Sequence, residues 1–306
     1  MSILPRRLLQ VSGDSTISFL QGLCTPDLRN LHSKTISHTA AHGAFLTNRG
    51  RILADAIFSV PSGTTIPPPN PIPRVTIECD ADIASPLKKH LSTYAILAKG
   101  IRVEELEDYK VLATTRCPRE GNFVSDPRLP LSHLYRLYSR SSEIELSTMM
   151  TLSEYRRERY KLGIPEGSKE LLPEKALPTE SNFDIIGGIS FEKGCYLGQE
   201  LTARSHFVGV TRKRIVPIFA LRPLGVHRVV PGTELVDSLT GKGVGVVMAL
   251  EGDIGIALVR NITDIPRTPS EVSDDDATQG GVVLMLATDP DERFRAKIPY
   301  WWPEET

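Results

Sequence analysis

The sequence predicts an α+β protein of several compact units, in which antiparallel sheets carry packed helices and a small antiparallel β-barrel follows. Residues 74–115 give a strand, a helix and two further strands, which is the order of an antiparallel unit rather than of a doubly wound parallel sheet. Residues 40–60 give two apolar runs around a polar turn, the pattern of a hairpin. Beyond residue 208, short apolar runs alternate with Gly and Pro, which favours a barrel.

Composition and charge favour a globular protein that binds neither nucleic acids nor membranes. The 306 residues are 40% hydrophobic, which is enough for two or three compact units. Since 36 Lys and Arg face 37 Asp and Glu, the net charge gives no reason to expect a nucleic-acid partner. No apolar run approaches the roughly 20 residues that a membrane-spanning helix needs, so we predict no membrane insertion. The four cysteines lack the spacing of a zinc site, and reduced thiols are expected.

The first elements are a strand, a helix and the hairpin. "RLLQVSG" at 7–13 predicts a strand, and Asp14 is placed to cap a helix whose Ile17 and Leu20 share one face. "AAHGAFLTNRGRILADAIFSV" predicts two strands joined by a turn at 47–50. The proline-dense stretch that follows, residues 61–73, ends this zone in a loop.

The middle of the chain contains two clear helix signals. Ser85 and Pro86 suit the N-cap and first position of a helix that follows the strand "RVTIECD" and precedes "GIRVEEL" and "YKVLATT". "TLSEYRRERYKLGIP" carries a capping box in Thr151 and Glu154, and Gly163 is a stop signal near its end.

The C-terminal zone gives the barrel strands. "RIVPIFAL", "GVGVVMAL", "IGIALV" and "GGVVLML" are short, apolar and separated by turn residues. The acidic, weakly apolar stretch near 266–280 predicts a mobile loop within the barrel. Trp301 and Trp302 are expected to fasten the C-terminal tail, or alternatively to serve an interface.

The decapeptide "FEKGCYLGQE" places Cys195 between two glycines in a charged segment. If a helix begins in "GQELTAR", its dipole and the nearby Lys193 would both favour the thiolate. A buried structural cysteine is the plain alternative. The chemical alternatives are a nucleophile with His206 as its base, or a metal ligand whose remaining ligands come from another protein, as for an iron-sulfur cluster at an interface.

"KGCYLGQELTAR" occurs with "SGDSTISFLQGLCTPDL", "GAFLTNRGRILADAIF", "GIPEG" and "ALPTESNFD" in the same order along the chain. Together these segments resemble the YgfZ-type folate-binding family, and most closely its branch of mitochondrial iron-sulfur cluster assembly factors. The wider superfamily includes the aminomethyltransferase of glycine cleavage. The similarity extends from about residue 6 to the terminal "PYWWP".

The resemblance implies two α+β lobes and a barrel arranged as a ring around a central cavity. The first lobe would be residues 1–58 completed by 151–208, the second 59–150 and the barrel 209–306. It implies an assembly factor that acts with A-type carrier proteins in the maturation of 4Fe-4S proteins and shares a cluster transiently. We expect a mitochondrial matrix protein whose presequence is absent from this chain, and a monomer when alone.

In this family Cys195 would be the functional thiol and a ligand of the shared cluster. The cofactor-binding role would fall to the residues around it, namely Lys193, Gly194, Tyr196, Gly198, Gln199, Glu200 and Arg204.

The alternative functions are a tetrahydrofolate-dependent aminomethyl transferase and a folate-binding scaffold. The aminomethyltransferase has two consecutive acidic residues where this chain has Ala54 and Asp55, and a pterin-holding Glu where Lys161 stands. An ammonium cannot accept the N–H donors of a pterin, so we expect a protein without transferase activity. Pro26 also replaces a polar side chain of the family's cavity wall.

A basic cluster follows the thiol segment. Arg204, Arg212, Lys213 and Arg214 are interpreted either as a solvated surface or as a docking patch for an acidic partner or a folate glutamate tail.

Overall fold

The computed structural model describes residues 3–32, 40–60, 73–118, 122–128, 131, 133–143, 150–223, 229–260, 265 and 282–303. The chain divides into two compact units. Unit 1 comprises Met1–Leu152, Glu166–Pro178 and Ile186–Phe207, and unit 2 comprises Ser153–Pro165, Thr179–Ile185 and Val208–Thr306.

The larger sheet of unit 1 has five antiparallel strands in the order β2-β3-β4-β1-β5. The strands are β1 (Arg6–Ser12), β2 (Ala40–Leu46), β3 (Ile52–Ser59), β4 (Arg74–Asp80) and β5 (Arg102–Glu105). Because β4 lies between β3 and β1, the segments assigned to two lobes share one sheet in the structure, while the lobe boundaries themselves stay a prediction. The predicted antiparallel hairpin is present as β2 and β3.

Two helices accompany this sheet, α1 (Thr16–Gln21) and α2 (Ala84–Ala95). The first follows Ser15 without a side-chain cap, so the capping role predicted for Asp14 is wrong. The second begins earlier than Ser85 and Pro86 suggest, because the Asp80 carboxylate accepts the Asp82 N–H at 2.7 Å and turns the chain before that point.

A second sheet of unit 1 has three strands in the order β6-β8-β7. They are β6 (Tyr109–Thr114), β7 (Phe123–Ser125) and β8 (Tyr135–Arg140). The sequence predicts only the first of them, because β7 is very short and β8 reads "YRLYSR", in which apolar and charged residues are mixed.

A network of buried charges lies inside unit 1. Guanidinium and carboxylate groups meet at distances such as 2.7 Å for Arg136 to Glu166 and 2.8 Å for Arg6 to Asp55, with side chains at most 5% exposed. The members are Arg6, Arg128, Arg136, Asp55, Glu78, Asp126 and Glu166. Pairing of this kind is what allows ionised groups to remain in a protein interior.

Unit 2 contains a closed antiparallel barrel in the order β10-β11-β12-β9-β14-β13. Its strands are β9 (Lys213–Ala220), β10 (Glu234–Asp237), β11 (Gly243–Glu251), β12 (Ile254–Arg260), β13 (Val282–Leu286) and β14 (Arg293–Ala296). The predicted barrel is confirmed, although β10 and β14 are short and polar and carry no sequence signal. The acidic stretch at 266–280 lies outside the described residues.

A helix and the tail complete unit 2. The helix α3 (Leu152–Lys161) begins directly after Thr151, as the capping box predicts. Gly163 ends it with a φ of +66°, a left-handed conformation that glycine adopts readily. Trp302 is buried and Trp301 donates its indole N–H to the Leu162 carbonyl at 3.2 Å, so the tail is fastened as expected.

None of the helices formed by the described residues has the length and apolar content that a bilayer crossing needs.

Candidate functional site

The thiol loop, defined here as residues 190–198, precedes the helix α4 (Gln199–Phe207) in unit 1. Cys195 is exposed on this loop, four residues before the helix begins. Cys117 is also exposed, whereas Cys24 and Cys79 are buried, and burial raises the pKa of both buried thiols to about 12. The buried structural alternative therefore fits Cys24 and Cys79 and not Cys195.

Lys193 holds the thiol loop against the segment that follows α1. Its ammonium donates to the Cys24 carbonyl at 2.7 Å and to the Pro26 carbonyl at 2.9 Å, and it stands 5.0 Å from the centre of the Tyr196 ring. Partial burial lowers its pKa below the ordinary lysine value. Most of its hydrogen-bonding capacity is thus spent on the main chain, and its observed role is to anchor the loop.

Thr25 makes a second attachment of the loop. Its hydroxyl donates to the Gly188 carbonyl at 2.6 Å, and its carbonyl accepts the Ser190 N–H at 3.0 Å. The Leu197 N–H donates to the Gly22 carbonyl at 3.0 Å, which fastens the far side of the loop. Sequence reasoning missed these contacts because the partners lie more than 150 residues apart in the chain.

Two glycines allow the thiol loop to approach the β2–β3 hairpin. Gly198 has a φ of +79°, and a Cβ added there would overlap the Thr47 carbonyl oxygen. Gly50, at the hairpin turn, has a φ of +73°, and an added Cβ would meet the Gly198 carbonyl oxygen at 2.9 Å. The hairpin turn and the thiol loop are therefore in backbone contact, which explains why both motifs contain glycine at these positions.

The remaining predicted site residues divide into buried and exposed groups. Tyr196 is buried, and burial raises the pKa of its phenol to about 12. Its N–H donates to the Gln199 side-chain oxygen at 3.1 Å, so Gln199 ties the loop to the start of α4. Glu200 and Arg204 are exposed on α4, and Gly194 is exposed with free space where a side chain would project.

His206 is exposed near the end of α4 and does not stand alone. Its ring stacks on Phe191 with 3.6 Å between centroids and 10° between planes, and Phe207 meets both rings edge-on. Its observed neighbours are aromatic, so its role as the base for Cys195 stays a hypothesis without a supporting contact.

Asp55, the acidic residue retained after Ala54, bonds to groups inside unit 1. Its carboxylate pairs with Arg6 at 2.8 Å and accepts the Gly167 N–H at 3.1 Å. It is buried, as is Ala54. Each oxygen of this carboxylate thus has a partner inside unit 1, and the observed role of Asp55 is in the buried charge network.

The residues of the predicted basic cluster are divided between the two units, and their joint role stays a prediction. Arg204 belongs to unit 1, and Arg212, Lys213 and Arg214 belong to unit 2. Arg214 forms a two-bond ion pair with Asp184 at 2.6 and 2.9 Å, so it serves the interior of unit 2. Arg204 and Arg212 are the exposed members.

Within the described part of the chain, no three His, Cys, Asp or Glu side chains converge as ligands of one metal ion.

Known proteins resemble this chain in both sequence and fold. Residues 212–304 match the family described as the CAF17 C-terminal beta-barrel domain. The solved structure titled glycine cleavage system aminomethyltransferase T from Bartonella henselae superposes with a TM-score of 0.64, covering 97% of this chain and 84% of its own. With 14% sequence identity, that likeness shows the fold alone, and it confirms the predicted fold class.

The sequence relatives are closer. The Mus musculus protein named mitochondrial iron-sulfur cluster assembly factor IBA57 is 34% identical, over 97% of this chain and 84% of its own length. The Homo sapiens protein of the same name is 32% identical, over 97% of this chain and 83% of its own. The resemblance carried by the thiol motif is thereby confirmed. Because this identity extends over nearly the whole chain, the protein belongs to the family of IBA57 mitochondrial iron-sulfur cluster assembly factors.

Proposed function

We propose that this protein acts in the mitochondrial matrix with A-type carrier proteins to mature 4Fe-4S proteins, and that Cys195 is its ligand to a transiently shared cluster. The observation that carries the proposal is the exposed Cys195 sulfur on a loop anchored by Lys193 and Thr25. The remaining cluster ligands come from the carrier in this account. The cluster is therefore cargo that passes between proteins.

The anchored loop suits a shared ligand for two physical reasons. Iron in such clusters is held by cysteine thiolates, and Cys195 is one of two exposed thiols among the four cysteines. A loop that is already ordered loses little conformational entropy when a partner binds, which favours association through few contacts. Lys193 and Gln199 supply this order from inside the motif, so their proposed part is to position Cys195.

The test compares two single-cysteine variants in the presence of a cluster-loaded A-type carrier under anaerobic conditions. Cys195→Ser is expected to weaken the complex at least about tenfold and to leave the cluster open to chelators, as followed by its visible absorption. Cys117→Ser is the matched control, because that thiol is also exposed, and it should behave as wild type. Undiminished complex formation and cluster protection in Cys195→Ser would overturn the ligation.

The alternative function is tetrahydrofolate-dependent transfer, and the environment of Asp55 disfavours it. Where the transferase has two acidic residues, this chain has Ala54 and an Asp55 whose carboxylate already bonds to Arg6 and to the Gly167 N–H. Formaldehyde-dependent transfer to tetrahydrofolate, together with micromolar affinity for it, would favour the alternative. Affinity without transfer would favour a folate-binding scaffold.

A further inference from the structure

We infer that the exposed side of α4 and the aromatic patch at its end form the docking surface for the cluster carrier. The aromatic patch is defined as Phe191, His206 and Phe207. This inference rests on the proposed function, since it assigns the surface on which the same partner sits. It adds that the partner is held by protein contacts beyond the cluster ligand.

The rings of the aromatic patch pack against one another, and two of its three residues, His206 and Phe207, are exposed. The Phe191 and His206 rings are stacked, and the Phe207 ring stands edge-on to them at 6.0 and 4.8 Å between centroids. Phe207 is nevertheless 68% exposed. An aromatic side chain that is fixed by neighbours and left in water is well prepared for burial by a partner, and such residues are enriched at interfaces.

The aromatic patch and Cys195 are connected by the thiol loop, because Phe191 and Cys195 both belong to it. Phe191, the second residue of the thiol loop, contacts His206 in the last turn of α4. The chain then passes through Cys195 and enters the helix at Gln199. The helix spans about 12 Å between its first and last Cα atoms, and Cys195 lies on the segment that connects Phe191 of the patch to the start of the helix.

The exposed side of α4 contributes three residues to this surface. Glu200, Arg204 and Phe207 recur at i, i+4 and i+7, which places them along one side of the helix, and all three are exposed. Thr202 is the buried member on the opposite side. A single partner that reaches Cys195 can therefore also cover Arg204 and Phe207.

The exposed side of α4 carries one charge of each sign, at Glu200 and Arg204, and Arg204 is the group that suits a cluster-bearing partner. A cluster ligated by thiolates is anionic, and Arg204 supplies a cation on the same side of the helix as Phe207. We therefore expect the carrier to present apolar side chains to Phe207 and negative charge, from the cluster or from carboxylates, to Arg204.

The test measures the affinity of a cluster-loaded A-type carrier for three variants. Phe207→Ser and Arg204→Glu should each weaken binding by about tenfold or more while Cys195 is intact. Ile96→Ser is the matched control, because Ile96 is 82% exposed in unit 1 on the turn after α2, and it should bind as wild type. Hydrogen exchange of the wild-type protein supplies a second measurement, with protection expected at residues 199–207 on adding the carrier.

The possible results distinguish a failure of the docking surface from a failure of the proposed function. Unchanged affinity in both variants, without protection of residues 199–207, would overturn the docking surface and leave the proposed function standing. Equal losses in Phe207→Ser and Ile96→Ser would also overturn it, because the effect would not be specific to this side of the molecule. Failure of the wild-type protein to bind the loaded carrier at all would instead contradict the proposed function.

Discussion

Lys193 is the residue whose role changes most between sequence and structure. Its position two residues before Cys195 suggests activation of the thiol by a nearby charge. The structure instead gives its ammonium two main-chain carbonyls, those of Cys24 and Pro26, as acceptors. The motif therefore contains its own anchor, and the importance of the residue could be predicted while its partners, 169 and 167 residues away, could not.

Replacing this anchor should loosen the loop. Lys193→Met keeps the aliphatic stem but leaves two part-buried carbonyls without their donor, so we expect a loss of about 1–3 kcal/mol in the free energy of unfolding. Amide exchange in residues 190–196 should accelerate as well. Lys193→Arg serves as the control that keeps the charge. Unchanged stability and exchange in Lys193→Met would show that the two hydrogen bonds do not hold the loop.

At the scale of elements, the site is the contact between a hairpin turn and the thiol loop. The sequence predicts both elements, because each has a clear turn signal, but not that they touch. The contact depends on Gly50 and Gly198, whose backbones approach closely in left-handed conformations. The barrel likewise contains strands that the sequence does not predict. The strands β10 and β14 have no alternating pattern of their own and are stabilised by pairing with the longer strand β13.

The glycines of the thiol motif provide a matched pair of substitutions. Gly198→Ala would force a side chain into a left-handed backbone and against the Thr47 carbonyl, so it should cost about 2–4 kcal/mol of stability. Gly194→Ala meets open space and should change stability by less than about 0.5 kcal/mol. Urea unfolding of both variants measures the two changes in the free energy of unfolding. Equal effects of the two substitutions would mean that the close approach of loop and hairpin does not contribute.

On the scale of the whole molecule, the buried charges of unit 1 couple its stability to pH. Burial alone would raise the pKa of Asp126, but Arg128 and Arg136 outweigh it and hold that pKa below the ordinary value. Burial, assisted by Arg128, lowers the pKa of His42 to about 3. The composition predicts none of this, because the sequence shows charges but not which of them are buried together.

Both shifts destabilise the protein in acid. The unfolded chain takes up a proton at His42 near pH 6.5, whereas the folded protein does so only near pH 3, so stability falls across this window. The depressed pKa of Asp126 gives stability that is present above about pH 4 and lost as the pH falls through its folded value.

Thermal unfolding at pH 7, 5 and 4 should therefore show a falling Tm. His42→Gln should reduce the loss across this whole range below pH 6.5, because that substitution removes the titrating group. A variant with the same pH dependence as wild type would assign the loss to other groups.

Differential alkylation shows whether the exposed thiol of Cys195 becomes a cluster ligand in a complex with a carrier. The anaerobic complex with a cluster-loaded A-type carrier is treated with iodoacetamide, and each cysteine is quantified by mass spectrometry. We expect Cys195 to be protected while Cys117 is modified as in the free protein, and we expect the protection to disappear once a chelator removes the cluster. Modification of Cys195 at the same rate with and without the loaded carrier would contradict this role of Cys195.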